Sequence, residues 1–199
     1  MGLLARTYKE EWYANRDNSK ALECALQCYQ QAFAIDPPDF YPGINAATLA
    51  LLSGHRELAR QLARKVLKIC KTKLQAQPGG EVYWLRASLA EALLILQQRE
   101  EAKEAYRQTA AVENVSLREL CSTRRQARLL ANHLFGRPEL FDECFSIPKV
   151  VIFSGHMEAG ILRRSSIVQA TIASGATLKM CSEMSSPRTS ALSHQTLRC

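Results

Sequence analysis

The chain lacks any apolar run approaching the roughly 18 residues that a membrane-spanning helix needs. It also lacks a Gly-rich loop leading into a Lys-bearing strand, a His-Arg-Asp and an Asp-Phe-Gly, so no protein-kinase chemistry is written in it. There is no CxxC. The seven cysteines (Cys24, Cys28, Cys70, Cys121, Cys144, Cys181 and Cys199) are odd in number and irregular in spacing. Cys24 and Cys28 would share a helix face, but no second Cys or His pair follows to complete a zinc site. Reduced, mostly buried thiols in a reducing compartment are expected. The four histidines, His55, His133, His156 and His194, are scattered without metal-ligand spacing. No metal, no cofactor and no catalytic constellation is therefore expected. The Gly2-Leu3-Leu4-Ala5 run passes at once into charges, which is no secretory signal. Arg6 stands where a myristoylation pattern requires Ser or Thr. A cytoplasmic location with no membrane association is the expectation.

What is present fits one ordinary globular domain with an appendage: 199 residues, 47% apolar and 23% charged. Residues 1–144 show helical periodicity and no strand pattern. Helices are expected over 1–15, with Leu4, Tyr8 and Trp12 on one face, and over 19–35, 44–52, 56–75, 81–97, 100–113 and 116–134. The second stops at Asp36-Pro37-Pro38, which cannot continue a helix. Pro42-Gly43 reads as a turn, and the apolar segment after it as a buried helix. Ser116 with Glu119 three residues on is a capping box.

Paired helices with short turns raise the question of repeats. The second helix of a tetratricopeptide unit carries a small residue, an aromatic four on, a small residue three further, then a proline. Ala25, Tyr29, Ala32 and Pro37 fit this pattern. Ala59, Ala63 and Val66 recur 34 residues later, and Ala102, Tyr106 and Thr109 a further 43, with an insertion around Pro78-Gly79-Gly80. Ala5, Ala47 and Ala90 give the first helices their own small residues. A helix pair cannot bury its face alone, so stacking supplies the core. The fold expected is all-α, a tetratricopeptide-like stack of antiparallel helix pairs over residues 1–144.

Beyond Phe145 the character changes. Lys149-Val150-Val151-Ile152-Phe153 is a strand-like apolar run leading into Ser154-Gly155-His156, as at the start of an α/β domain, so residues 145–156 read as a truncated opening of one. Residues 157–199 hold 12 Ser or Thr, against 10 in the first 144, and no aromatic residue. Forty-odd such residues cannot build a core of their own. They read as a mostly disordered tail, native or frame-shifted.

Three short motifs in order resemble a known family. Gly2-Leu3-Leu4-Ala5-Arg6-Thr7-Tyr8-Lys9, Gly43-Ile44-Asn45-Ala46-Ala47 with Gly54-His55 downstream, and Tyr83-Trp84 are similar to the TRAFs-binding domain, the central regulatory region of apoptosis signal-regulating kinases and of bacterial relatives. The likeness covers about residues 2–133. It implies an all-helical, tetratricopeptide-like, non-catalytic scaffold that binds signalling partners and regulates a neighbouring domain. First helices of such repeats line a concave groove. On that basis Tyr41, Asn45, Thr48, Trp84 and Glu91 are the candidate partner-binding residues for a protein or peptide. Asn45 stands out in an otherwise apolar helix and needs hydrogen-bond partners, with a nearby backbone favoured over a bound peptide. Because Met1 opens directly inside the first motif, the end of the stack has no polar cap, and self-association is expected.

Charge offers a rival. The net charge is +7, and His55–Ala76 alone carries seven cations against Glu57. Arg56, Arg60, Arg64, Lys68 and Lys71 fall in one helical arc, opposite Leu62, Ala63, Val66, Ile69 and Cys70. Arg118, Arg124, Arg125 and Arg128 form a second cluster. A nucleic-acid-binding helical repeat would use both clusters. A solvated helix face is the plainer reading of the stripe. A second rival is a fragment of a larger enzyme or sensor whose α/β domain begins near Lys149.

Overall fold

The computed structural model describes residues 2–76 and 81–147, together with the backbone of Ile152–Phe153 and Ile167–Val168. The chain divides into two compact units, Met1–Ser146 and Ile147–Cys199. The first is all-helical: α1 Gly2–Ala14, α2 Ser19–Ile35, α3 Phe40–Leu52, α4 Arg56–Gln75, α5 Val82–Ile95, α6 Arg99–Ala110 and α7 Leu117–Phe135, then a 3-10 helix Pro138–Cys144. In the second unit β1 (Ile152–Phe153) pairs antiparallel with β2 (Ile167–Val168), Ile152 opposite Val168. The rest of the expected strand-like run, Ser154-Gly155-His156 and nearly all of the tail read as disordered lie outside the described residues.

Local chemistry sets the helix ends. Asn18 caps α2 by accepting from the Ala21 amide at 3.0 Å, and Asp39 caps α3 by accepting from the Tyr41 amide at 3.0 Å. The capping box of α7 forms in both directions between Ser116 and Glu119. Gly136 closes that helix in the left-handed conformation, φ 66°.

One expectation fails here. Pro42-Gly43 is not a turn but the first part of α3. Proline costs nothing in a first helical turn, where its missing N–H would have no intrahelical acceptor. Gly43 is needed for approach. A Cβ there would come within 2.7 Å of Val66 and 2.8 Å of Phe33. The glycine therefore lets α3 lie against α2 and α4, which is the packing role that a turn reading missed.

The helices stack in sequence order, with α1 on α2, α2 on α3, α3 on α4, α4 on α5 and α5 on α6. Contacts of α3 with α5, and of α5 with α7, join alternate helices as a repeat stack requires. Most of the repeat positions are core, with Ala32 half-buried and Pro37 exposed at the end of α2. Ala25, Ala59, Ala63, Val66, Ala102, Tyr106 and Thr109 are fully buried, as are Ala5, Ala47 and Ala90 of the first helices. Tyr29 and Tyr106 fill the space beside these small residues. Tyr106 packs its ring on Phe141 and Phe145, so the 3-10 helix closes the stack beside α6. The fold is thus a tetratricopeptide-like helical stack. On α1 the buried residues are Ala5 and Trp12, whereas Leu4 is half exposed and Leu3 86% exposed.

Candidate interaction face

α1, α3, α5 and α7 converge on a polar centre. Lys9 of α1 donates from Nζ to Asn45 Oδ1 of α3 at 2.6 Å, and Asn45 Nδ2 donates to the Tyr41 carbonyl one turn back at 2.8 Å. Asn45 therefore spends its amide on local backbone, as expected, and its carbonyl on a lysine. Tyr13 of α1 donates to Gln126 Oε1 of α7 at 3.1 Å, and Gln126 also acts on the charge of the Glu91 carboxyl of α5. First and last α-helices are thus linked across 113 residues of sequence.

The electrostatics follow from this crowding. Glu91 keeps some accessible surface, yet protein surrounds it closely, as on the floor of a concavity. Desolvation raises its carboxyl to about 7, against the pull of Lys9 and of Gln126. Desolvation likewise lowers the Lys9 ammonium, which the Glu91 charge partly offsets. Tyr13 is pushed up to about 12 by burial. Cations crowd its ring: Arg16 lies 4.4 Å from the centroid, Arg125 5.3 Å and Lys9 5.6 Å. Arg16 also stacks on Trp12 at 4.0 Å.

Of the residues that sequence singles out, Asn45 and Glu91 meet in this centre through Lys9. Tyr41 is 50% exposed in the first turn of α3, edge-on to Tyr29 at 6.2 Å. Trp84 is 41% exposed in the first turn of α5, edge-on to Tyr83 at 5.0 Å. Tyr83 itself is buried and hydrogen-bonds Thr123 of α7 at 2.7 Å, which fixes the base on which Trp84 stands. Thr48 does not belong with them. It is wholly buried in α3, its hydroxyl without a partner, and offers no surface to a ligand. Helical spacing puts Thr48 on the arc of Tyr41 and Asn45, but deeper along the helix that arc turns into the core.

Sequence reasoning missed Lys9, Tyr13 and Gln126. The signal was local in α1: Lys9 falls four residues from both Ala5 and Tyr13, inside the inward stripe rather than beside it. A lysine in that place needs a partner.

The two basic clusters part company. Arg56, Arg64, Lys68 and Lys71 are exposed on α4 and Arg60 is half-buried. Among the described residues only Glu57 forms ion pairs with them, at 3.9 Å from Arg60 and 3.8 Å from Arg64. Arg56 and Arg60 also line a cavity of about 140 Å³ with Leu51, Ile95, Gln97, His133 and Leu134. In the second cluster Arg124 and Arg128 are both drawn onto Asp142 of the 3-10 helix, with four hydrogen bonds of 2.5–3.1 Å. Arg125 goes to Tyr13 instead. Arg118, the fourth member, is exposed.

Among the described residues no His, Cys, Asp or Glu group is arranged to hold a metal, and no helix is long and apolar enough to cross a membrane. Cys70, Cys121 and Cys144 are buried and Cys24 and Cys28 half-buried, and none of these five is in a disulfide. His156 and His194 lie outside the described residues.

Comparison with known proteins adds one likeness. A family model described as Tetratricopeptide Repeats-Sensor matches residues 1–50, that is, α1, α2 and most of α3. Neither a curated protein nor a solved structure matches the chain.

Proposed function

We propose that residues 1–146 form a non-catalytic scaffold that binds a segment of a protein partner on the face bearing Tyr41, Asn45, Trp84 and Glu91. The observation that carries this reading is the pair of large aromatics, Tyr41 and Trp84, left exposed in the first turns of two first helices that pack on each other. Both rest on buried tyrosines and so are held in place. Rigid, half-exposed aromatics are the usual anchors of binding energy. Behind them Glu91 keeps some accessible surface, while Asn45 is buried with its amide committed to Lys9 and the Tyr41 carbonyl, so that it sets the position of Lys9. The likeness of residues 1–50 to a tetratricopeptide sensor family supports an interaction or sensing role, and the TRAFs-binding resemblance narrows it to a regulatory scaffold in signalling. Free cysteines suit a reducing, cytoplasmic setting.

The test is affinity capture from the native cell with the full chain, washed first at low and then at high salt. A discrete protein that survives high salt and is lost with Tyr41→Ala plus Trp84→Ala, but kept with Arg64→Gln, supports the reading. Nucleic acid that elutes as salt rises, and is lost with Arg64→Gln, overturns it and moves the α4 stripe to the centre. The reading extends to self-association through the outer face of α1, where Leu3 and Leu4 stand exposed. Leu3→Glu with Leu4→Glu should then convert a concentration-dependent sedimentation profile into that of a monomer. A monodisperse wild-type monomer would remove this extension.

A further inference from the structure

Tyr41 and Trp84 stand at the first turns of α3 and α5. At the other ends of these helices, the last turns of α3, α5 and α7 meet the start of α4 around the cavity of about 140 Å³. That volume lies below the roughly 300–1,000 Å³ of a site for a drug-sized ligand and suits one small group. Arg56, Arg60, Gln97 and His133 give it polar walls, and Leu51, Ile95 and Leu134 complete it. We propose that this cavity binds a phosphate group, as free phosphate or as the head of a phosphomonoester, held by Arg56 and Arg60 with Gln97 and His133 as further donors.

The arginine pair on α7 shows what such spacing takes. Arg124 and Arg128, one turn apart, close on a single carboxylate, Asp142, through four hydrogen bonds. Arg56 and Arg60 have the same spacing on α4 and line one cavity, yet Arg60 meets only Glu57, at 3.9 Å. Among the described residues the side chains of Arg56, Gln97 and His133 have no hydrogen-bond or ion-pair partner. A carboxylate satisfies the α7 pair with two oxygens. Here an amide and an imidazole join the two guanidiniums, and a phosphate group, with three or more acceptor oxygens and nearly two negative charges, matches that set better.

The helix ends oppose an anion in part. α3, α5 and α7 each bring a carbonyl end worth about half a negative charge, and α4 brings the opposite end, with no side-chain cap from His55. Two guanidiniums outweigh what remains, because Glu57 is shared between Arg60 and Arg64.

Gln97 carries the inference further. It sits in the left-handed region, φ 62°, just past α5. Gly54, φ 83°, holds the same place past α3, 43 residues earlier, the spacing that relates Ala59 to Ala102. The two turns close alike. The Gly54 and His55 amides donate to Leu51 and Ala50, and the Gln97 and Gln98 amides to Leu94 and Leu93. Both places favour glycine. The second keeps a side chain, and that side chain lines the cavity. Backbone strain retained at such a position is the mark of a binding residue.

The test is calorimetric titration of the full chain with inorganic phosphate and, separately, with phenyl phosphate, the ionic strength held constant with chloride. It needs no protein partner, so it stands apart from the interaction reading above. One saturable site is expected, weakened about tenfold or more by Arg56→Gln or Arg60→Gln. Arg64→Gln, an exposed arginine of the same helix that does not line the cavity, should weaken it less than about twofold. Gln97→Gly should raise the unfolding temperature by about 2–4 °C, by relieving the backbone, while weakening phosphate binding. Tighter binding of phenyl phosphate than of free phosphate assigns the site to a phosphomonoester, and the reverse assigns it to the free anion. The proposal is overturned if neither probe saturates a site. Equal weakening by Arg64→Gln, the sign of diffuse attraction to the stripe, also overturns it. So does a Gln97→Gly variant that is more stable and binds phosphate as before.

Discussion

The arginines of α4 and those of α7 look alike in sequence and end in opposite circumstances. On α4 the stripe points outward and meets a single acid, Glu57. On α7 Arg124 is only 12% exposed and shares Asp142 with Arg128 through paired guanidinium–carboxylate contacts. Nearby, Lys103 and Arg107 of α6 reach Glu143 from the same 3-10 helix. One cluster is a solvated face and the other is the fastening that holds the 3-10 helix to the end of the stack. Composition alone offers both to the nucleic-acid rival alike. Placement separates them, because an acid 14 to 18 residues downstream decides the second.

The largest way to break this contrast is Asp142→Asn. It leaves two arginine charges at a partly buried place, and we expect about 2–3 kcal/mol of destabilisation in urea unfolding. Replacing Arg124, Arg128 and Asp142 together with apolar residues of similar size should recover much of that loss, since the cost lies in holding guanidinium charge at a partly buried place without the Asp142 carboxylate. If Asp142→Asn is neutral, the fastening is ornamental.

Much of the helical frame was legible because its causes are local. Periodicity, the proline stop after Ile35, the Ser116–Glu119 box and the recurrent alanines all act within a turn or two. Pro42-Gly43 misled because its composition is that of a turn. The reason for Gly43 lies in Phe33 and Val66, on neighbouring helices. The same holds for the site. Tyr41, Asn45, Trp84 and Glu91 are candidates through the resemblance to helical repeats, whereas Lys9 and Gln126 acquire meaning only when α1 meets α3 and α7, over separations of 36 and 113 residues. Thr48 shows the converse error, a correct arc with the wrong depth.

Acid sharpens the contrast next. Desolvation by itself would raise Asp142, but hydrogen bonds and charge from Arg128 and Arg124 outweigh it and hold the carboxyl at about 2. A group depressed in the folded state stabilises above its unfolded value and loses that contribution as pH falls through its folded one. Wild-type stability should therefore fall most steeply between the ordinary 3.8 and about 2, and the difference from Asp142→Asn should vanish below that interval. Glu91 has the opposite sign. Its contribution is complete below 4.5 and is lost as pH rises through about 7. Glu91→Gln should therefore lessen the loss of stability as pH rises through neutrality, as read by thermal unfolding.

The smallest effects belong to the stripe. Glu57→Gln should change stability by no more than about 0.5 kcal/mol, because exposed pairs at nearly 4 Å contribute little. Replacing Arg64, Lys68 and Lys71 with Gln should leave unfolding unchanged while reducing retention on a polyanion column. A loss above about 1 kcal/mol would give the stripe a structural role that its exposure denies.

The central claim is that partners meet the aromatic face and not the basic stripe. The direct test is a photo-crosslinking residue placed at position 84 in one variant and at position 64 in another, activated in the native cell at high salt. The account predicts a discrete protein adduct at 84, suppressed by Tyr41→Ala, and none at 64. A salt-resistant adduct at 64, or equal labelling at both positions, would contradict it.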